Sequence, residues 1–274
     1  MVISLTTFLG AAAFAFFGSF TFWQVANWWD VYRIIILFIA GYLAMILVWW
    51  VFIDIYGRLI SLKKEHKKVN KVARFLLSDA MQYIYMTAGA RVTVNGADKL
   101  PKNSRFLYIQ NHTSNFDPMI AYPILHKYDV AFISKPSNFK IPLAKRLMPS
   151  LFFQPINRED PIQSLHVMKN SIDLISNNVT SIGVYPEGTR HQDHILGEFH
   201  EGVFNICLKA KCPLVIATTS NVYNIHKNFP FKKTHIDFDI IDVIPYEEME
   251  NYQTAKALSD YAFGLMKEHL DKIQ

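Results

Sequence analysis

Two long apolar runs near the N-terminus constrain the fold of this chain most. Residues 5–23 and 34–53 contain no charged side chain, and about 20 apolar residues are enough for a helix to cross the hydrocarbon core of a bilayer. Tryptophan pairs mark the linking segment and the far end of the second run, at Trp28, Trp29, Trp49 and Trp50. Such aromatic belts are typical of membrane interfaces. The pattern predicts a transmembrane helical hairpin over residues 1–57.

Two other interpretations of the first apolar run have to be weighed. A secretory signal peptide begins with a positively charged stretch, which MVISLTT lacks. A re-entrant hairpin that does not fully cross stays open, because the run is diluted by hydroxyl side chains. These are Thr6, Thr7, Ser19 and Thr21.

A cluster of basic residues follows the second apolar run. It consists of Arg58, Lys63, Lys64, Lys67, Lys68, Lys71 and Arg74. The loop between the two runs contains a single basic residue, Arg33. The positive-inside rule therefore places both termini in the cytoplasm. We therefore expect a multi-pass protein of the plasma or inner membrane whose main domain faces the cytoplasm.

The net charge is +5, from 28 Lys and Arg against 23 Asp and Glu. A basic chain can bind nucleic acid, anionic lipid or phosphorylated compounds. The position of the basic cluster beside an apolar run favours the lipid bilayer as a partner. No zinc-finger spacing and no aromatic-glycine RNA-binding signature occurs in the sequence, so no nucleic-acid partner is expected.

Residues 58–89 form a basic and then amphipathic juncture. Apolar residues recur there at roughly helical spacing, at Val72, Phe75, Leu76, Met81 and Ile84. This segment is either an interfacial helix on the membrane or an ordinary helix that packs on the following domain, because amphipathicity alone does not identify the partner.

From residue 90 to residue 274, short β-rich runs alternate with helical patterns. Strands are predicted at Arg91–Val94, Arg105–Gln110, Val130–Ser134, Phe152–Ile156, Ser181–Tyr185, Leu214–Thr218 and His235–Ile244. Helices are predicted at 118–127, 139–149, 161–176, 201–210 and 252–272. This alternation predicts an α/β domain, with a mixed sheet flanked by helices.

Cys207 and Cys212 are too few for a disulfide framework and too widely spaced for a CxxC motif. They are interpreted as reduced core thiols.

The first motif that could carry chemistry is Asn111-His112 followed by Asp117, in a predicted strand-to-helix turn. Such turns lie at the carboxyl ends of strands, where ligands bind in α/β proteins. If Asp117 accepts a hydrogen bond from one ring nitrogen of His112, the other can take a proton from an alcohol. Alternatively, His112 is a satisfied loop residue, and Asp117 only caps a helix that starts at Pro118.

A second motif, Pro186-Glu187-Gly188-Thr189-Arg190, also follows an apolar strand. On its own it is compatible with an ordinary turn. Taken together, the two motifs resemble the 1-acylglycerol-3-phosphate acyltransferase family of membrane glycerolipid enzymes, over roughly residues 90–220. Further matches are Lys135, Pro142 and Arg158. Departures are Pro136-Ser137-Asn138 after the lysine, a missing glycine after Pro142, His191 after the arginine, and Ile216 in place of a second proline.

The resemblance implies an acyltransferase that acylates the free hydroxyl of lysophosphatidate from an acyl thioester and gives phosphatidate. It makes His112 the general base and Asp117 its orienting partner. The acceptor site would be shaped by Glu187, Gly188, Thr189 and Arg190. Arg158 and Lys135 would bind phosphate, although Arg158 could instead pair with Glu159 or Asp160, and Lys135 could be a solvated surface residue.

No metal and no cofactor are expected, because acyl-CoA or acyl carrier protein supplies the activated acyl group as co-substrate. Backbone N–H groups of the loop at Gly188 are expected to stabilise the oxyanion. Other acceptors, namely another lysophospholipid or glycerol-3-phosphate, stay open. Three other hypotheses are weaker: a serine hydrolase using Ser114, a metal-dependent phosphoesterase that uses His112, Asp117 and Glu187 with the segment 191–194, and a non-catalytic lipid-binding scaffold.

Overall fold

The structure is a computed structural model, and it describes residues 2–21, 31–60, 67–142, 144–191, 195–252 and 254–273. The chain divides into two compact units, residues 1–61 and 62–274. Several residues used above lie outside the described part of the chain: Trp28, Trp29, Lys63, Lys64, residues 22 and 23 of the first apolar run, and residues 192–194 of the segment 191–194.

The first unit consists of two apolar helices, α1 (Val2–Thr21) and α2 (Val31–Leu59), which pack against each other. Gly41 permits a close approach, since a Cβ there would lie 3.1 Å from the Cα of Ala11. The Trp49 indole donates to the Thr6 hydroxyl at 2.9 Å, and Thr6 in turn donates to the carbonyl of Val2 at 2.8 Å. The Thr6 hydroxyl is therefore satisfied within the helix pair, as a hydrocarbon environment favours, whereas the buried Thr7 hydroxyl has no hydrogen-bond partner among the described residues.

Large apolar side chains cover the outer surface of this helix pair. They include Leu5, Phe8, Phe16, Phe17, Leu43 and Leu47, each more than half exposed. Soluble monomers do not present contiguous apolar surface of this kind. With 20 and 29 residues, the two helices are long enough to cross a bilayer. They indicate that the chain associates with a membrane.

The second unit is an α/β domain with a mixed seven-stranded sheet, as predicted. Its strands are β1 (Ala90–Asn95), β2 (Leu107–Gln110), β3 (Val130–Ser134), β4 (Gln154–Pro155), β5 (Ser181–Val184), β6 (Leu214–Thr219) and β7 (Thr234–Ile244). Its helices are α3 (Lys71–Thr87), α4 (Phe116–Leu125), α5 (Ala144–Ser150), α6 (Pro161–Ser176), α7 (Asn205–Ala210), α8 (Ile225–Asn228) and α9 (Ala255–Ile273).

The spatial order of the strands is β1-β7-β6-β2-β5-β3-β4, and every pair is parallel except the antiparallel pair β6 and β7. All residues of β2, β5 and β6 are buried. Because successive side chains of a strand point to opposite faces, the centre of the sheet is covered on both sides. The two motifs lie in the loops that follow the carboxyl ends of β2 and β5, and β6 ends beside them at Thr219.

Several helix boundaries differ from the prediction. The helix expected over 118–127 begins at Phe116, and its N-cap is Asn115. The predicted capping role of Asp117 is therefore wrong: its carboxylate instead binds backbone N–H groups of Thr113 and Ser114, which precede the helix. The helix predicted over 161–176 is confirmed with these bounds; Asp160 caps it by accepting from the backbone N–H groups of Ile162 and Gln163, and Pro161 occupies its first position.

Two further predicted helices are only partly α-helical. Of 139–149, residues from Ala144 are α-helical, since Pro142 has no N–H with which to continue a helix from the preceding 3-10 turn. The segment 201–210 begins as a 3-10 helix over Glu201–Phe204 and becomes α-helical as α7.

The helix α3 packs on the α/β domain through one face. Leu76 and Leu77 are buried, and the Arg74 guanidinium forms an ion pair with Asp129. One member of the basic cluster thus serves the fold of the domain. The other face is apolar and exposed, with Val72 at 50% and Phe75 at 45%.

Candidate active site

The two motifs follow neighbouring parallel strands. Ile109 of β2 is in register with Val184 of β5, so the loops that leave their carboxyl ends lie side by side. Strand pairing therefore brings the two loops into contact, even though His112 and Glu187 are 75 residues apart in the sequence. The sheet topology brings the two predicted motifs into one site, as the position of ligand sites in α/β sheets leads one to expect.

His112 and Asp117 form a hydrogen-bonded pair. The distance between His112 Nδ1 and Asp117 Oδ2 is 2.8 Å. The same carboxylate oxygen accepts from the backbone N–H groups of Thr113 and Ser114, both at 2.7 Å, and Asp117 is fully buried. An ionised carboxylate only accepts hydrogen bonds, so Nδ1 carries the proton and Nε2 of a neutral imidazole is left as the acceptor. This geometry is the one that a general base requires.

A buried polar network supports the pair from the end of β6. The Asn111 side chain makes reciprocal hydrogen bonds with the backbone of Thr219, donating at 3.0 Å and accepting at 2.8 Å. The Thr219 hydroxyl accepts from Gln110 at 2.9 Å and donates to Asp117 Oδ1 at 3.4 Å. Tyr108 donates to Gln110 at 2.7 Å. Satisfied networks of this kind fix the loop conformation.

The side chain of Glu187 contacts the backbone of the first motif. One carboxylate oxygen accepts from the N–H of His112 at 2.6 Å, and the other accepts from the N–H of Gly197 at 2.8 Å. Burial is the dominant influence on this group and raises its pKa from 4.5 to about 7, despite the two backbone donors, which lower it. Glu187 therefore holds three loop segments together rather than facing solvent.

Two more hydrogen bonds join the motif loops. The N–H of His191 donates to the carbonyl of His112 at 3.0 Å. The Arg190 guanidinium donates to the Asn115 side chain at 2.7 Å. The backbone of His112 is thus held on both its N–H and its carbonyl by residues of the second motif or directly after it.

An aromatic stack holds the His112 ring. The ring of Tyr185 lies 4.3 Å from it, centroid to centroid, at an interplanar angle of 26°. The Phe132 ring also stacks on Tyr185, at 5.8 Å and 19°. Gly183 makes room for this arrangement, because a Cβ there would lie 2.6 Å from the Phe132 ring.

A cavity of about 730 Å³ opens beside this pair. Its apolar wall includes the buried side chains of Phe132, Met148, Phe153 and Ile206. Its cationic residues, by contrast, are exposed to solvent: Lys135, Arg158 and Arg190. Among the lining residues that the structure describes there is no Asp or Glu. The cavity is therefore apolar inside and positively charged at its opening, which suits an amphiphile with an anionic headgroup.

Six of the eight predicted site residues line this cavity: His112, Lys135, Arg158, Gly188, Thr189 and Arg190. Asp117 and Glu187 do not line the cavity. Asp117 contacts the imidazole of His112, and Glu187 contacts its backbone N–H. Within the described part of the chain, Arg158 has no ion pair or hydrogen bond. The alternative pairing with Asp160 finds no support, since that carboxylate caps α6. Partial burial lowers the pKa of Arg158.

Sequence reasoning missed three contributors to the site: Tyr185, His200 and Thr219. Tyr185 was predicted only as a strand end, and Thr219 lies 108 residues from Asn111. A polar residue at the end of an otherwise apolar strand is the one signal that could have indicated Thr219. Gly188 N–H, expected near the oxyanion, donates to the carbonyl of Tyr185 at 3.0 Å. In the described residues, the N–H groups of Thr189 and Arg190 have no such acceptor.

The other side chains with potential chemistry are engaged elsewhere. Cys207 and Cys212 are free and buried, as predicted; burial raises the pKa of both thiols, that of Cys212 to about 12. The Ser114 hydroxyl accepts from the N–H of Phe116 at 3.2 Å. The carboxylate oxygens of Asp117 and Glu187 all accept hydrogen bonds from protein groups, and no metal-binding cluster of three His, Cys, Asp or Glu occurs in the described residues.

The sequence and the fold of this chain are similar to those of known proteins. A family model described as "Acyltransferase" matches residues 91–219, which include both motif loops and end at Thr219. Over these residues, which are just under half of the chain, the sequence is similar to the acyltransferase family.

Individual proteins from distant organisms are similar to this chain as well. The chain is 31% identical over 129 residues to the chloroplastic 1-acyl-sn-glycerol-3-phosphate acyltransferase BAT2 of Brassica napus, an alignment that covers 47% of this chain and 37% of the relative. It is 26% identical over 226 residues to a putative 1-acyl-sn-glycerol-3-phosphate acyltransferase of Caenorhabditis elegans, with 79% and 81% covered. The chain thus spans about two fifths of the plant relative's length and most of the nematode one's.

A solved structure has a similar fold. The 1-acyl-sn-glycerophosphate acyltransferase PlsC of Thermotoga maritima superposes with a TM-score of 0.62 over 83% of this chain and 90% of that protein. At 17% identity this likeness establishes the fold alone.

Proposed function

We propose that this chain is a 1-acyl-sn-glycerol-3-phosphate O-acyltransferase, which transfers a fatty acyl group from a thioester to lysophosphatidate and gives phosphatidate for phospholipid synthesis. The observation that carries this proposal is the His112–Asp117 pair, 2.8 Å apart, beside a cavity with an apolar interior and a cationic opening. The names of the relatives point to the same reaction.

The reaction follows from the positions of these groups. Asp117 holds the Nδ1–H of His112, and Nε2 takes the proton of the acceptor hydroxyl while its oxygen attacks the thioester carbonyl. The tetrahedral intermediate collapses, the carbon–sulfur bond breaks, and the imidazolium returns the proton to the departing thiolate. The N–H groups of Thr189 and Arg190 are the candidates for stabilising the oxyanion.

The substrates fit the two parts of the cavity. The phosphate of the acceptor would meet Lys135, Arg158 and Arg190, because guanidinium groups bind phosphate oxygens with charge-assisted hydrogen bonds. Acyl chains would occupy the apolar interior. The donor is an acyl thioester of coenzyme A or of acyl carrier protein, and the reaction needs no cofactor.

An assay of the full chain in lipid–detergent micelles tests this function. Labelled acyl-CoA and, separately, acyl carrier protein thioester are supplied with lysophosphatidate, another lysophospholipid or glycerol-3-phosphate. Phosphatidate formation that His112→Ala abolishes, and that the exposed His166→Ala keeps, is the expected result. Efficient transfer only to another acceptor would correct the substrate, and transfer to none would favour the lipid-binding scaffold.

The membrane arrangement is part of the proposal. The two apolar helices of residues 1–57 would cross the plasma or inner membrane, residues 58–89 would form the juncture, and residues 90–274 would catalyse acyl transfer in the cytoplasm. The basic residues after α2 support this orientation through the positive-inside rule. A C-terminal green fluorescent protein should fluoresce, and a C-terminal alkaline phosphatase should stay inactive; the reverse pattern would contradict it.

A further inference from the structure

His200 lies in the cavity opening although it belongs to neither motif. Its backbone N–H donates to the carbonyl of Pro186 at 2.9 Å, which fixes the residue against the second motif. Its imidazole lines the cavity and is exposed to solvent. In the described residues, the ring has no hydrogen bond or ion pair of its own.

Gly188 brings His200 and Arg158 together. A Cβ at Gly188 would lie 2.7 Å from Nε2 of His200 and 3.4 Å from Cζ of Arg158. The imidazole and the guanidinium therefore approach the same point above the Gly188 backbone. Gly188 adopts a φ of +69°, which L side chains rarely adopt, and the absence of a side chain there leaves the space between the two groups open.

Both groups are donors without an acceptor in the described part of the chain. Arg158 presents a planar set of N–H groups, and a histidine donates from at least one ring nitrogen. By contrast, the Arg190 guanidinium already donates to Asn115, and the cavity lining that the structure describes contains no carboxylate. Two converging donors that no protein group satisfies are suited to an anion.

We propose that His200 joins Arg158 in binding the phosphate over Gly188 and is a specificity-determining residue of the acyl transfer. The inference rests on the proposed function, because that reaction supplies the phosphate. The phosphate belongs either to the lysolipid headgroup or to the coenzyme A part of the donor. The subsite lies beside the dyad, since Gly188 follows Glu187, which holds the His112 N–H.

The test compares His200→Ala, His200→Lys and Arg158→Ala in the full chain, with the exposed His166→Ala on α6 as a matched control. Initial rates are measured with lysophosphatidate varied at saturating acyl-CoA and with acyl-CoA varied at saturating lysophosphatidate. Loss of one donor to a charged group is expected to raise KM about tenfold or more for the substrate whose phosphate is bound. The kcat should change by less than about threefold, because the dyad that performs the chemistry is unchanged.

The outcomes separate the hypotheses. A raised KM for lysophosphatidate assigns the subsite to the acceptor headgroup, and a raised KM for acyl-CoA assigns it to the donor. His200→Lys should restore KM, since an ammonium group also binds phosphate. If KM for both substrates stays within about twofold of wild type in His200→Ala, the subsite proposal is overturned. Absence of transfer by the wild-type chain would instead contradict the proposed function itself.

Discussion

The backbone N–H of His112 donates to the buried carboxylate of Glu187 at 2.6 Å. Glu187 of the second motif thus holds the backbone of His112, the proposed base, without a hydrogen bond to its imidazole. Since Glu187 also holds Gly197, its loss would release the loops on both sides of the cavity opening. Glu187 is therefore expected to matter for the geometry of the site more than for direct contact with substrate.

The raised pKa of Glu187 makes stability depend on pH. Its folded pKa, about 7, lies above its ordinary value of 4.5, so between these values the folded state binds more protons than the unfolded state. Stability contributed by this group is full below pH 4.5 and falls as the pH rises towards 7, by roughly 3 kcal/mol in total. The melting temperature of wild type should therefore drop from pH 5 to pH 8.

In Glu187→Gln this contribution does not titrate, so its melting temperature should change less between the two pH values. The exposed Glu198→Gln is the control and should keep the wild-type difference. If the melting temperature changed equally between pH 5 and pH 8 in wild type and in Glu187→Gln, burial would not raise the pKa of the Glu187 carboxyl group as described.

Replacing Asp117 by Asn should remove the charge that favours the imidazolium formed when His112 takes a proton. We expect kcat to fall by about two to four orders of magnitude. The measurement is the rate of phosphatidate formation at saturating substrates, with circular dichroism as a check of folding. A fall of less than about threefold in folded protein would refute the role of Asp117.

The stack of Tyr185 on His112 predicts opposite effects for two substitutions. Tyr185→Phe keeps the ring and removes a buried hydroxyl that has no hydrogen-bond partner among the residues the structure describes, so kcat should stay near wild type and stability should rise by about 1 kcal/mol. Tyr185→Leu loses the stack and should lower kcat about tenfold, from the usual worth of such ring contacts. Equal kcat for the Leu and Phe variants would deny the ring a role.

Gly188→Ala should be severely impaired. Its φ of +69° strains any L side chain, and the new Cβ would lie 2.7 Å from the His200 ring. Activity should fall by about a hundredfold or more if the loop shifts to relieve the clash. Gly264→Ala in α9 is the control: a Cβ there meets nothing within 4 Å, so activity should persist and stability should rise by up to about 1 kcal/mol.

Thiol alkylation should leave acyl transfer unchanged. Cys207 and Cys212 are buried, and the pKa of Cys212 is raised to about 12, so almost no thiolate is present at pH 8. Incubation of the folded protein with iodoacetamide, followed by the transfer assay, checks this. Rapid inactivation that parallels labelling of either cysteine would argue for a thiol intermediate.

The sequence predicted the local elements of the fold better than their partners. The bounds of β3 and α6 agree with prediction, because a dense apolar run and an Asp-Pro helix start are local signals. The first turn of α4 was misassigned, since the Asp117 carboxylate turns back to Thr113 and Ser114 instead of capping the helix at its N-terminus.

Contacts between distant segments explain the remaining gaps. The pairing of Asn111 with Thr219 depends on β2 lying beside β6, and the place of His200 depends on the turn at Gly188. Neither strand order nor loop packing is encoded by periodicity. The two motifs themselves were recognisable because each combines a strand end with residues of distinctive chemistry.

The parallel neighbours β2 and β5 and the distant Thr219 also set an order of events during synthesis. A ribosome makes α1 and α2, which end at Leu59, before it makes the α/β domain, and their contacts are local, so they can pair early. The site requires pairing of strands far apart in sequence and cannot close before Thr219 has been added. The nascent chain therefore has its lipid-seeking segment ready well before it has a working active site, and delivery to the bilayer can precede any acyl transfer.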